Sequence, residues 1–243
     1  VDFCVEHATV GLATSKIIQN YSEKLQTTSN FTGDNMAKKL IALLQRHGDT
    51  EANDENVYRS RLDPSLNDKG IKQAEAAARD IAKHHGKEIK KVVSSPMLRA
   101  VQTADIIAEK LGLEVVQDRS LIAWNLGFLS GKNKDVYKDI LDFYIDNPEK
   151  EIPEGESLDE LTTRLEEYFD KEFRNEDELG VYVMHNSNLV TVENLVTGTK
   201  DRRQESSEKS VEPGGTMGVY LEDDGKYSVE VLFGVENSAE YTS

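Results

Sequence analysis

The chain reads as an α/β protein: a three-layer α/β/α sandwich around a mostly parallel central sheet. Two observations predict this. From Lys39 onward, short apolar runs alternate with longer amphipathic stretches of helical period. Strand and helix signals in strict alternation are the pattern of parallel strands joined by helices packed on both faces. Turn and capping residues mark the junctions.

Leu40-Ile41-Ala42-Leu43-Leu44 is a continuous apolar run that ends at Arg46-His47-Gly48, as a buried strand running into a turn would. After a loop to Leu66, a helix is expected from Asp68 to His85, with Ile71, Ala74, Ala78, Ile81 and Ala82 on one apolar face and Gly86 as its stop. Val92-Val93 is a short strand. Ser95 then fits an N-cap and Pro96 a first helical position, before a helix carrying Met97, Ala100, Val101, Ala104, Ile107 and Leu111 that stops at Gly112. Val115-Val116 is another strand. Lys134 to Asn147 and Leu158 to Phe173 read as helices, the second opened by a Ser157…Glu160 capping box. Val181 to Met184 is a strand followed by a helix through Leu195, and Gly218–Leu221 with Tyr227–Phe233 form a terminal strand pair. Gly214-Gly215 makes the turn before that pair.

The chain's 243 residues fit one main domain, or one domain plus an appendage. Residues 1–35 are rich in Ser, Thr and Asn and differ from the rest, so the domain is expected to begin at 36 and run to 243. Residues 1–35 are then a dispensable extension or linker, with a short helix over Ala13–Leu25. A lid or insertion is expected around 125–155. The net charge of −16 argues against nucleic-acid or anionic-membrane partners and leaves any phosphate site dependent on a local cluster of Arg and His. No apolar stretch approaches the ~20 residues of a membrane span, and no signal-peptide pattern opens the sequence. The single cysteine, Cys4, fits a reducing, cytoplasmic setting and rules out an intrachain disulfide; with five histidines it leaves no Cys-rich zinc site. No metal or other cofactor is expected. Oligomeric state is not encoded in any pattern we read.

Three strand ends offer related chemistry. The first carries Arg46 and His47, the second leads to Arg99 in the first turn of a helix, and the third ends at His185. Parallel strands bring these ends to one edge, where open α/β sheets place their ligand crevice. Two guanidiniums and two imidazoles there suit a dianionic phosphoryl group: imidazole attacks phosphorus, and guanidinium clamps its oxygens. His84 and His85 point apart on a helix and read as solvated; His7 receives no role. Trp124 reads as a core or pocket-wall aromatic.

These segments, in order, resemble the histidine phosphatase superfamily and its phosphoglycerate-mutase-like fold. They are Arg46-His47-Gly48-Asp49-Thr50 with Asn53, Leu66 to Ala74, Ser95 to Ala104, Gly155-Glu156-Ser157 with Arg164, and His185. The resemblance spans about Lys39 to Phe233. It implies that His47 accepts the phosphoryl group as a phosphohistidine, which water then hydrolyses. Arg46, Arg99 and His185 would hold the equatorial oxygens, Asn53 would add a hydrogen bond, and His185 would be more useful protonated.

One position departs from the family pattern. Where members commonly place a glutamate that protonates the leaving oxygen, this chain has Ala123, within Leu121-Ile122-Ala123-Trp124-Asn125. Positioned acid catalysis is typically worth about 10²–10⁴ in rate. In order of preference, another carboxylate (Asp49, Glu51 or Glu156) takes over, or the substrate's leaving group needs little help, or the domain binds phosphorylated ligands and barely turns over. Asn186 also replaces the more usual glycine after the second histidine. The expected function is metal-independent hydrolysis of a small phosphomonoester through phosphohistidine, with a catalytically impaired phospho-ligand-binding module and a mutase-type phosphotransferase as the alternatives.

Overall fold

The computed structural model describes residues 38–51, 55–174, 178–198 and 211–233. The expected extension over 1–35 and the candidate ligand Asn53 lie outside them. The strands are β1 (Lys39–Arg46), β2 (Ile89–Ser94), β3 (Val115–Gln117), β4 (Leu179–Met184), β5 (Thr216–Leu221) and β6 (Tyr227–Phe233). The helices are α1 (Asp68–His85), α2 (Leu98–Leu111), α3 (Lys134–Asp146), α4 (Leu158–Phe173) and α5 (Asn186–Thr197). The strands form one six-stranded sheet in the order β3-β2-β4-β1-β5-β6. β1, β2, β3 and β4 are mutually parallel, and β5 and β6 join antiparallel, so the sheet is mostly parallel, as expected.

Alternation along the central strands sorts the core into two layers. Leu43, Val92, Val181 and Val183 pack with Ala78 and Ile81 of α1 and Ala104 and Ile107 of α2. Leu44, Tyr182 and Met184 face the other way, against Leu161, Leu165 and Phe169 of α4 and Leu189 of α5. Fully burying one such aliphatic side chain stabilises the fold by roughly 1.5–3 kcal/mol. The stretch 125–155 belongs to this second layer: Leu126, Leu129, Leu141, Ile145 and Ile152 are all part of its core.

Most elements form where the pattern placed them, and the capping box of α4 is present in full, Ser157 and Glu160 each accepting from the other's backbone N–H. Two boundaries differ. Helix α2 starts at Leu98, with Met97 as N-cap, so Pro96 precedes the helix. The reason is that Ser95 Oγ lies 2.8 Å from His185 Nε2 and accepts from Met97 N at 3.3 Å, which keeps the chain extended for one further step. Gly86 does not stop α1 by a left-handed turn, since its φ is −55° and it continues the right-handed winding. Gly112, at φ +68°, is such a stop.

Candidate active site

The parallel register aligns the three strand ends. Arg46 pairs with Met184 and Ser94 with Val183, so the residues that follow leave the sheet at one level. His47 N donates to Met184 O at 3.1 Å and Ser95 N to Val183 O at 2.9 Å, tying both loops to β4. His185 is the N-cap residue of α5, with extended backbone and no side-chain cap bond, which frees its ring to face Ser95 and Arg99. The wall opposite is the turn before β5: Gly214 N donates to His47 O at 3.1 Å, and Arg46 N to Gly215 O at 3.0 Å.

Arg99 is the hub. It is 2% exposed, and its Nε donates to His47 Nε2 at 3.2 Å. Its Nη1 donates to Leu62 O at 2.7 Å, and Nη2 to Ser60 O and to His185 Nδ1, both at 3.2 Å. The two imidazoles lie 5.2 Å apart between centroids.

These contacts assign the tautomers. Gly48 O, 2.7 Å from His47 Nδ1, can only accept, so Nδ1 carries the hydrogen. Arg99 Nε can only donate, so His47 Nε2 presents a lone pair. In His185 the roles are reversed: Nδ1 accepts from Arg99, and Nε2–H donates to Ser95 Oγ.

Burial first, then the charge of Arg99 and its neighbours, pushes both histidines well below the ordinary imidazole value. His47 is therefore neutral, with a lone pair at Nε2. His185, which would be more useful protonated, is neutral too, because burial and then the charge of Arg99 and the nearby arginines oppose a proton there. Arg46 and Arg99 are lowered to about 10, mainly by burial and next by Arg59, and both remain guanidinium at neutral pH.

Arg59 is the residue that sequence reasoning missed. It lies near the same residues: its charge lowers the pKa values of Arg46, Arg99, His47 and His185. Its Nη1 and the Nε of Arg46 are buried without a hydrogen-bond partner. Arg59 and Arg61 share a loop with no regular period, so nothing local says which of them turns inward. The choice is made by Ser60, which sits in the left-handed region at φ +48° and is held there by three contacts. Its Oγ donates to Trp124 O at 3.0 Å and accepts from Leu126 N at 2.8 Å, while its carbonyl receives Arg99.

The model of the histidine phosphatase superfamily, branch 1, matches residues 42–205. This chain belongs to that superfamily. It is 30% identical over 160 residues to a protein named putative phosphoserine phosphatase 2 of Hydrogenobacter thermophilus, covering 64% of this chain and 77% of the relative. It is 33% identical over 147 residues to a 2,3-bisphosphoglycerate-dependent phosphoglycerate mutase of Thermoplasma acidophilum, covering 60% and 70%. Among solved structures, a mycobacterial glucosyl-3-phosphoglycerate phosphatase complexed with VO3 superposes with a TM-score of 0.66 at 21% identity. That match covers 82% of this chain and all of the other, and it shows a common fold.

Within this histidine phosphatase the three candidate carboxylates are placed as follows. Asp49 is buried beside the nucleophile loop, with Oδ1 accepting from Thr50 N at 3.0 Å and Oδ2 2.7 Å from Lys69 Nζ. Glu51 is exposed. Glu156 accepts from Arg164 Nη2 and Asn125 N, each at 2.9 Å, and lies 3.4 Å from Arg61 Nη2. Ala123 is buried, and its carbonyl receives Arg61 Nε at 3.4 Å. Trp124 is a core aromatic, as expected, with Nε1 donating to Glu156 O at 3.1 Å. His84 is exposed, with Nδ1 2.8 Å from Asp80 O and its ring stacked on Phe233, whereas His85, expected to be solvated, is half-buried.

Proposed function

We propose that the protein hydrolyses small phosphorylated compounds in two steps through a phosphohistidine on His47. One observation carries the reading: an unprotonated imidazole nitrogen, His47 Nε2, is buried against the Arg99 guanidinium, and two guanidinium N–H groups of arginines whose charge acts on His47, Arg46 Nε and Arg59 Nη1, are buried without a partner. Buried unpaired donors each cost about 1–3 kcal/mol, more when charged. An anion with several oxygens satisfies them together and screens the three guanidiniums from one another. In the first step Nε2 forms a bond to phosphorus while the bond to the leaving oxygen breaks. Arg46, Arg59 and Arg99 stabilise the equatorial oxygens, and His185 holds the Arg99 guanidinium in place. Water then attacks phosphorus and the electron pair of the P–N bond returns to Nε2, which splits one difficult displacement into two easier ones.

The phosphatase names among the relatives support hydrolysis. We also propose a cytoplasmic setting, which the lone Cys4 supports; among the described residues no helix is long and apolar enough to cross a membrane.

The test is direct. The full chain is mixed with labelled phosphate donors, quenched in alkaline denaturant, and examined for label on His47 while phosphate release is followed. Label that appears and then leaves as phosphate is the expected result. Label that persists in His47→Ala would refute the assignment, and label delivered to a second substrate instead of water would make the protein a transferase.

A further inference from the structure

We propose that this enzyme is selective for phosphoryl compounds whose leaving group departs as a stable anion, such as acyl phosphates and aryl or enol phosphate esters, over simple alkyl phosphates. The inference rests on the phosphatase reading above and concerns the bond on the far side of phosphorus.

Among the described residues, the groups shown beside the His47 ring are the Arg99 guanidinium, which donates to Nε2 at 3.2 Å, and the neutral His185 imidazole, 5.2 Å away between centroids. Guanidinium N–H groups stabilise developing charge but do not give up their protons near neutral pH. His185 has one ring hydrogen, and that hydrogen is committed to Ser95 Oγ. Three carboxylates near the loop act as acceptors toward donors that have nothing to receive: Asp49 toward Lys69 and Thr50 N, Glu156 toward Arg164 and Asn125 N, and Asp63 toward Leu98 N at 2.7 Å. Glu51 is exposed, and no contact among the described residues aims it at His47. Ala123 contributes a buried methyl group. Among the described residues the site thus holds charge-stabilising donors and no positioned acid.

The consequence is a constraint on the leaving group. When the Nε2–P bond forms, the P–O bond breaks and its electron pair leaves with the oxygen, and no proton moves. A carboxylate leaving group has a conjugate acid of pKa about 4 and a phenolate one of about 10. An alkoxide resembles hydroxide, whose conjugate acid water lies at ~15.7, and its unprotonated departure forfeits the factor of about 10²–10⁴ that a positioned acid supplies. Hydrolysis of the phosphohistidine needs no such acid. Both hydrogens of the attacking water leave with the product as dihydrogen phosphate, which gives one up to solvent.

The experiment compares single-turnover labelling of His47 in the wild-type full chain by acetyl phosphate, phenyl phosphate and glycerol 3-phosphate at saturating concentrations. The expected order is acetyl above phenyl, and phenyl above glycerol 3-phosphate by at least about 10²-fold, the lower end of what an acid contributes. Labelling by glycerol 3-phosphate within about tenfold of phenyl phosphate would overturn the leaving-group inference and leave the phosphatase reading standing. No label from any of the three donors would overturn the phosphatase reading, and this inference with it.

Discussion

Gly48 follows His47, the proposed nucleophile, and its lack of a side chain is demanded by packing. A Cβ built there would lie 2.3 Å from Gly70 O, a backbone atom in the first turn of α1, about 1 Å short of ordinary contact. The approach is mutual, since a Cβ on Gly70 would lie 2.1 Å from Asp49 O. Neither neighbour is the end of a flexible side chain, so Gly48→Ala must move the loop or the helix by about that distance. The loop is the weaker side, and it carries His47. A displacement of about 1 Å at a reacting atom costs on the order of 10²-fold in rate, and overpacking costs about 1–3 kcal/mol. For a domain of this size that is a fall in Tm of roughly 2–12 °C. We therefore expect Gly48→Ala to lose about 10²-fold in kcat/KM on phenyl phosphate and several degrees in Tm. Gly112→Ala is the control. Nothing lies within 4 Å of its Cβ, although φ is +68°, so it should cost about 1 kcal/mol of stability and leave kcat unchanged. A Gly48→Ala variant with kcat/KM within threefold of wild type and an unchanged Tm would refute the steric reasoning.

Two further outcomes are expected. Because burial and the guanidiniums depress His47 and His185, both histidines should titrate by imidazole NMR with midpoints below 6.5. The unfolded chain then binds more protons below that pH, so the stability present above about 6.5 is lost as pH falls; Tm should drop between pH 7 and 5, and a midpoint above 6.5 in the unliganded protein would contradict the assigned tautomers. Arg59→Ala should lower kcat by about 10²–10³, the cost of removing one donor from a developing oxyanion. Its Tm should hold or rise as repulsion toward Arg46 and Arg99 is relieved, whereas Arg61→Ala, which loses its contacts with Glu156 and Ala123 O, should keep kcat. Equal activity of Arg59→Ala and wild type would remove Arg59 from the site.

Much of this molecule was legible in the chain itself. The alternating periods of two and 3.6 residues laid down the layers, and parallel topology brought Arg46, His47, Arg99 and His185 to one edge. Both follow from local chemistry repeated along the sequence, such as an apolar run closed by Arg46-His47-Gly48 or a Ser157…Glu160 cap. The departure at Ala123 was equally plain. Other features depended on residues far apart in the chain. Ser60, held in the left-handed region by Trp124 and Leu126, turns Arg59 inward and leaves Arg61 to Glu156. Gly48 read as the residue of a turn, yet it is glycine because Gly70, beyond a loop, comes too close for a Cβ. The carboxylates named from sequence are neutral candidates on paper; Lys69, Arg164 and two backbone N–H groups determine what Asp49 and Glu156 can do. His185 is neutral because tertiary contacts bury it and ring it with guanidiniums. The sequence by itself determined which residues meet at the sheet edge. Only the tertiary structure decided their protonation, their free donors and their close approaches, because those depend on dielectric and on neighbours that no spacing along the chain reveals.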